Sequence, residues 1–287
     1  MNISANSVKE LRERTGAGMM ECKKALVAAS GDIEMAIEAM RKAGTARAAK
    51  KAGRIAAEGL VEVQINADAQ LAIMLEVNCE TDFVSRDAHF KAFVQSVTQV
   101  ALDHAITKIE ELPSDIEEAR QALINQVGEN VQVRRITTLR SLGTIGAYVH
   151  HGRIGVLVAL STKNTELAKD LAMHIAAVNP QYIKPEEVPG DITQREKEIF
   201  IAQSADSGKS AEIVEKMVMG RIHKFVNEIS LIGQPFVKDP NQSVGQLLHA
   251  AKAEVLGFVR FEVGEGIEKV TEDFATAVMA QAGVGSA

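Results

Sequence analysis

The 287-residue chain contains no tryptophan, and its aromatic side chains are nine Phe and two Tyr. A platform on which successive bases of single-stranded nucleic acid stack is poorly supported by so few rings. Excess positive charge is missing too, since 32 Lys and Arg stand against 38 Asp and Glu, a formal net charge of -6. That balance argues against a protein that holds nucleic acid by neutralising many phosphates and directs attention to protein partners. Cysteine is scarce: Cys22 and Cys79 are far apart, in neither a Cys-x-x-Cys pair nor a spaced Cys/His set. A disulfide framework or structural zinc site does not fit, and both thiols are expected to be reduced and partly buried. No stretch reaches the roughly 18 uncharged apolar residues needed to span a bilayer. The opening MNISANSVKE has no apolar signal core, so the cytoplasm is the expected location.

What is present is 46% hydrophobic residues, enough for a sizeable core in roughly two domains. Residues 1 to about 52 read as three short helices. Ser7 and Glu10 have capping-box spacing, Thr15 to Gly18 is a glycine-rich stop, and Asp32 can cap a third helix carrying Ile33, Ile37 and Met40. Residues 41–54 hold six cations and no acid. They could steer towards an acidic surface, but a helix end running into a solvated linker is the reading adopted.

From Glu58 the period changes to that of strands. Val61, Val63 and Ile65 alternate with polar residues, NADAQ turns, LAIMLEVN is a continuous apolar strand, and Phe90, Phe93, Val97 and Ala101 form a helical stripe before a third strand, NVQVRRI. The order then recurs. Ile145, Ala147 and Val149 alternate, RIGVLVAL is the apolar strand, Leu167, Leu171 and Ile175 are the stripe, and EVLGFVRFEV is a delayed third strand. The delay is an insertion of two helical segments around DSGKS, which reads as an antiparallel hairpin.

The two copies differ between apolar strand and helix: the first has CETDFVSRDA, the second only STKN. Extra loop residues cost little entropy, and loops are where binding residues concentrate. In one reading Thr81 or Asp82 caps the next helix and Phe83 tucks into the core. In the other, Phe83 is an exposed anchor for another protein. Met19 and Met20 are open in the same way, between core filling and an adaptable contact surface. No catalytic set emerges, so the chain is not expected to be an enzyme. His150 and His151 adjoin at a strand end, where they point apart and read as turn or surface residues. TGAGMMECKK, GVLVALSTKN and DSGKS lack the context of a phosphate-cradling loop.

LRERTGAGMMECKKAL (11–26) and EVNCETDFVSR (76–86) resemble the two signature segments of the bacterial elongation factor Ts family, nucleotide exchange factors for elongation factor Tu. VGENVQVRR, RIGVLVA, VEKMVMGR, GQPFV and GFVRFEVGEGIEKV extend the likeness essentially end to end. The resemblance implies an α+β protein with a ubiquitin-associated-like three-helix domain (1–53) and two similar α/β core subdomains (54–140; 141–179 with 236–263). A coiled-coil insertion (180–235) and a C-terminal helical module (264–287) complete it. It implies that Thr81, Asp82, Phe83 and Val84 insert beside a helix of the partner's GTPase domain and disturb its magnesium site, with Phe83 as the wedge. It further implies that Lys9, Arg12, Met19, Met20, Val127, Gly128 and His150 touch the partner, in its GDP-bound and nucleotide-free forms. His151 stands where the family pattern has glycine. No cofactor, metal, membrane or direct nucleic-acid contact is implied, and the oligomeric state stays open. The rival expectations are a protein-binding scaffold without exchange activity and an enzyme of unknown reaction.

Overall fold

The computed structural model describes residues 3–204 and 210–268. It is an α+β protein. Helices α1 (Ala5–Thr15), α2 (Met19–Ala28) and α3 (Ile33–Lys51) close around Leu11, Cys22, Leu26 and Ala36. Ser4, not Ser7, caps α1, its hydroxyl accepting the Ser7 N–H at 3.0 Å. The expected Ser7 capping box fails because the helix starts three residues earlier than expected from that pattern. Gly16 ends α1 with φ 67°, and the Asp32 carboxylate accepts the Met35 N–H to start α3. The expected linker is also corrected. α3 stays helical to Lys51, which its run of alanines favours.

The first sheet follows. β1 (Glu58–Ile65) and β2 (Leu71–Cys79) lead through α4 (Asp82–Arg86), α5 (Ala88–Asp103) and α6 (Ser114–Val127) to β3 (Gln132–Arg140). The strands are antiparallel in the order β1-β2-β3. α3 lies against α6 through Arg41 to Glu118 and Thr45 to Gln121 (2.8 Å), and Ala48 enters the core formed by α5, α6 and this sheet.

The second sheet begins with β4 (Thr144–His150) and β5 (Ile154–Leu160), backed by α7 (Thr165–Val178). An excursion carries α8 (Gly190–Ser204) and α9 (Ala211–Glu228), which pack together with the Arg221 guanidinium 5.7 Å from the Phe200 ring. Residues 206–209 of the expected DSGKS turn, and most of the expected C-terminal module, lie outside the described residues. The excursion's ends meet where Tyr182 bridges Ser230. β6 (Pro235–Phe236), β7 (Asp239–Ser243) and α10 (Val244–Ala250) then lead to β8 (Val255–Glu262), giving the order β4-β5-β8. Buried His174 of α7 fastens this return. Its Nδ1 accepts the Val237 N–H at 3.2 Å, so Nε2 carries the proton to Gln234 Oε1 at 2.9 Å, and burial pushes the imidazole pKa down.

The two sheets face each other, each with helices behind it. Ile73, Leu75 and Val77 of β2 therefore point to helices while Ala72 and Met74 point to the second sheet. In β5, Val156, Val158 and Leu160 point to α7, and Leu157 and Ala159 point to the first sheet. Burial on both faces explains the continuous apolar runs of the two central strands. Gly155 allows the close approach, since a Cβ there would lie 2.3 Å from Val61 Cγ1 and 2.8 Å from Met74 Sδ. Val149 lies outside this seam beside the hairpin tip and is 37% exposed, although it shares the alternation of Ile145 and Ala147.

Glu76, fully buried, lies on the seam side of β2. A bulge builds its site: β3 pairs Arg135 with Glu76 but Val133 with Val77, so Arg134 is the extra residue. Ordinary alternation would send the two arginines to opposite faces, and the bulge lets both reach one carboxylate. Arg134 donates at 3.1 Å, Arg135 at 2.5 Å, Asn78 at 2.9 Å and the Gly264 N–H, just past β8, at 2.8 Å. Arg135 also donates to the Glu262 carbonyl at 2.9 Å and stacks 4.1 Å from the Phe261 ring. Burial by itself would raise the carboxyl pKa, but the bonds from Gly264, Asn78 and Arg135 outweigh it and hold the pKa below the usual glutamate value.

Replacing one partner of a buried ion pair strands the others, so Glu76→Ala is expected to lose about 3–5 kcal/mol in urea unfolding. A depressed folded pKa gives a contribution present above the unfolded value of about 4.3 and lost as pH falls through the folded value. The acid destabilisation below about pH 4 should accordingly be shallower in the variant, and an unchanged acid limb would count against the network.

Candidate functional site

β2 ends at Cys79, and Val84 and Phe90 anchor the chain beyond it in the core behind the first sheet. Between them α4 makes barely more than one turn. Neighbouring residues of a helix point about 100° apart, so burial of Val84 at 8% exposure turns Phe83 outwards, where it is 80% exposed. This removes the reading in which Phe83 returns to the core. Thr81 occupies the N-cap position but makes no side-chain cap. Its hydroxyl donates instead to Glu129 Oε1 at 2.6 Å, while its N–H and that of Glu80 donate to Glu129 Oε2, both at 3.0 Å. Glu80 Oε1 in turn accepts the Asn130 N–H at 2.6 Å. Asp82 pairs with Arg86 at 2.8 Å, and Asp87 caps α5 by accepting the His89 and Phe90 N–H groups.

Beneath this turn the Cys79 thiol donates to the Thr81 carbonyl at 3.2 Å. Burial, with the negative charges of Glu129 and Glu58 adding to it, pushes its pKa up to about 12. A thiol held neutral in this way is a packing group, not a nucleophile. Among the described residues no group of three His, Cys, Asp or Glu side chains is arranged to hold a metal ion.

Val127 and Gly128 adjoin the turn through Glu129. Val127 packs partly on the core that holds Val84, and Gly128 ends α6 with φ 79°. His150 is exposed at the end of β4, with Nδ1 3.0 Å from the Tyr148 hydroxyl. His151 beside it has φ 51°, the left-handed conformation that favours glycine. The hairpin tip is fastened to β1 by the Val61 N–H to Gly152 carbonyl bond at 2.7 Å and the Arg153 to Glu58 pair at 2.6 Å. α4 packs on the same strand, so β1 supports both.

Lys9 and Arg12 of α1 and Met19 and Met20 of α2 are exposed. Met19 and Met20 are 60% and 64% exposed, which overturns core filling. Glu80, Glu129, Asn130 and Arg54, which hold the Phe83 turn in place, were not read from the sequence. Glu80 meets Glu129 and Asn130 about 50 residues on, and the Arg54 carbonyl meets Asn130 76 residues on; nothing in a single sequence marks such a pairing.

Residues 80–265, from the Phe83 turn to just past β8, match the family model for elongation factor TS. Over 98% of this chain, and 99% of the relative, it is 57% identical to elongation factor Ts of Thioalkalivibrio sulfidiphilus. The chain belongs to the elongation factor Ts family. Elongation factor Ts of Alcanivorax borkumensis is 58% identical over 96% of this chain and 99% of its own, and that of Yersinia pestis 54% identical over 97% of each. These likenesses extend through the N-terminal helices that the family model leaves unmatched.

Both cysteines are buried, and Cys79 lies under the Phe83 turn. Thiol reagents at pH 8 are expected to leave the folded protein unlabelled and to label both residues in denaturant. Rapid labelling of Cys79 in the native state would mean that the turn opens readily.

Proposed function

We propose that this chain is the guanine nucleotide exchange factor of elongation factor Tu, acting in the cytoplasm during translation elongation. The observation that carries the reading is Phe83, an aromatic side chain 80% exposed on a one-turn helix whose two ends are pinned. Leaving a phenylalanine in water is unfavourable by the area it could bury, about 25 cal/mol per Å². A protein partner that encloses the ring recovers that energy, and a desolvated aromatic anchor is worth about 2 kcal/mol or more.

Exchange on this reading is linkage and needs no bond chemistry. A factor that binds the nucleotide-free partner more tightly than the GDP-bound one weakens GDP binding by the same ratio, tenfold for about 1.4 kcal/mol. Phe83, flanked by Thr81, Asp82 and Val84, enters beside a helix of the partner's GTPase domain. It thereby disturbs the magnesium ion, which offsets phosphate charge. Val127 and Gly128 extend the contact near the wedge, and His150 faces the partner's third domain. Lys9, Arg12, Met19 and Met20 add a second patch on the GTPase domain from the ubiquitin-associated-like unit. In this reading the two sheets are the core subdomains, 54–140 and 141–179 with 236–263. Residues 180–235 are the coiled-coil insertion and 264–287 the C-terminal module.

Release of a fluorescent GDP analogue from elongation factor Tu with magnesium present tests the proposal. Wild type is expected to accelerate release, and Phe83→Ala to lose about 30-fold of that acceleration, the equivalent of about 2 kcal/mol. Equal acceleration by the variant would remove Phe83 from the mechanism. Binding with no acceleration by either protein would favour the scaffold.

A further inference from the structure

The wedge turn does not hold itself. α4 has five residues and no side-chain cap, and a single helical turn fixes many dihedrals for few internal bonds. Burial of Val84 and Ser85 and the Asp87 cap of α5 hold the C-terminal side of the turn, which leaves the direction of its N-terminal side to be set. The direction comes from outside, from the residues that follow α6. We propose that Glu129 is the positioning residue of the wedge, setting where Phe83 points without touching it. The functional consequence rests on the exchange reading above, while the geometry rests on hydrogen bonds alone.

Three donors converge on the Glu129 carboxylate: the Glu80 N–H, the Thr81 N–H and the Thr81 hydroxyl, at 3.0, 3.0 and 2.6 Å. Bonds to an ionised acceptor are roughly twice as strong as neutral ones. The opposite exchange occurs one residue away, where Glu80 accepts the Asn130 N–H at 2.6 Å. Two reciprocal attachments resist rotation of the turn, which one would not. Asn130 is fully buried and carries the connection further, its Nδ2 donating to the Arg54 carbonyl at 2.9 Å and the Ala52 carbonyl at 3.3 Å. Arg54 closes the circuit by approaching Glu80 at 3.5 Å. The wedge is thereby tied to the end of α3, against which α1 and α2 pack.

Gly128 belongs to the same device. Its φ of 79° turns the chain out of α6 immediately before Glu129, and a side chain at that angle is strained. This backbone requirement is sufficient reason for a glycine there, whether or not the residue also touches a partner.

Exchange by wild type, Glu129→Ala, Glu129→Gln, Phe83→Ala and the Glu129→Ala/Phe83→Ala double variant, each titrated against elongation factor Tu, tests the proposal. A wedge misplaced by about 1 Å loses on the order of tenfold to a hundredfold in rate. Glu129→Ala is therefore expected to lower the maximal rate by about tenfold while shifting the half-saturating concentration less than about threefold. Glu129→Gln keeps one acceptor oxygen but puts an NH2 group where the other oxygen accepted, and should recover only part of that loss. Because Glu129 acts through Phe83, the double variant should be no slower than Phe83→Ala. Multiplying losses, or a wild-type maximal rate in Glu129→Ala, would overturn the assignment. If Glu129→Ala does not fold, the same cycle is run with Glu129→Gln and amide exchange decides. Faster exchange confined to residues 80–86 supports the clamp, and unchanged protection there refutes it. That measurement needs no partner, so if wild type fails to accelerate GDP release, the exchange reading falls and the clamp is judged separately.

Discussion

The structure depends on a buried carboxylate. Glu76 occupies the seam between the two sheets, where an unpaired charge would be prohibitive, and it is accommodated because a bulge in β3 supplies two arginines and the segment after β8 supplies a backbone N–H. Apolar contacts along the seam are non-directional and tolerate sliding. The Glu76 bonds do not, because each fixes a distance and an angle. They therefore set how the end of the second sheet lies against β2 and β3.

That placement matters at the other side of β1. The β4–β5 hairpin tip binds β1 through Val61 and Glu58, and α4 packs on the same strand. A shift between the sheets would move His150 relative to Phe83. The seam and the Glu129 bonds thus hold the β4–β5 tip and α4 against the same strand. The N-terminal helices join the arrangement through α3, which is continuous to Lys51 where a helix end running into a solvated linker was expected. Much of that charge is used locally, Arg41 with Glu118, Arg47 with Glu21 and Arg54 with Glu80.

Much of the fold was legible because its local signals agree with its packing. Asp32 and Gly16 mark helix ends through their own backbone chemistry, and the Phe90, Phe93, Val97 and Ala101 stripe reports the face that α5 buries. The failures have equally definite causes. Ser7 has the spacing of a cap, but Ser4 offers an equivalent hydroxyl one turn earlier. The 41–54 stretch lacks an apolar stripe because it needs only Gly44 and Ala48 to approach its neighbours, so neither periodicity nor charge reveals it as a packed helix. Among the site residues, Phe83 and its neighbours stood out as an insertion relative to the second copy, whereas Glu129 resembled an ordinary polar loop residue.

By itself the sequence determined the order of helices and strands, the repeated strand, helix and strand pattern, and the segment where an aromatic residue departs from it. Those properties are local, written in side-chain period and backbone preference. Tertiary structure alone decided that Phe83 faces solvent while Val84 takes the core, and that Met19 and Met20 lie on the surface. It also decided that Glu76 and Glu129 are the carboxylates on which the rest is hung. Each of these depends on which groups, tens of residues apart, arrive to accept or donate a bond, and that is a property of the folded chain and not of any segment within it.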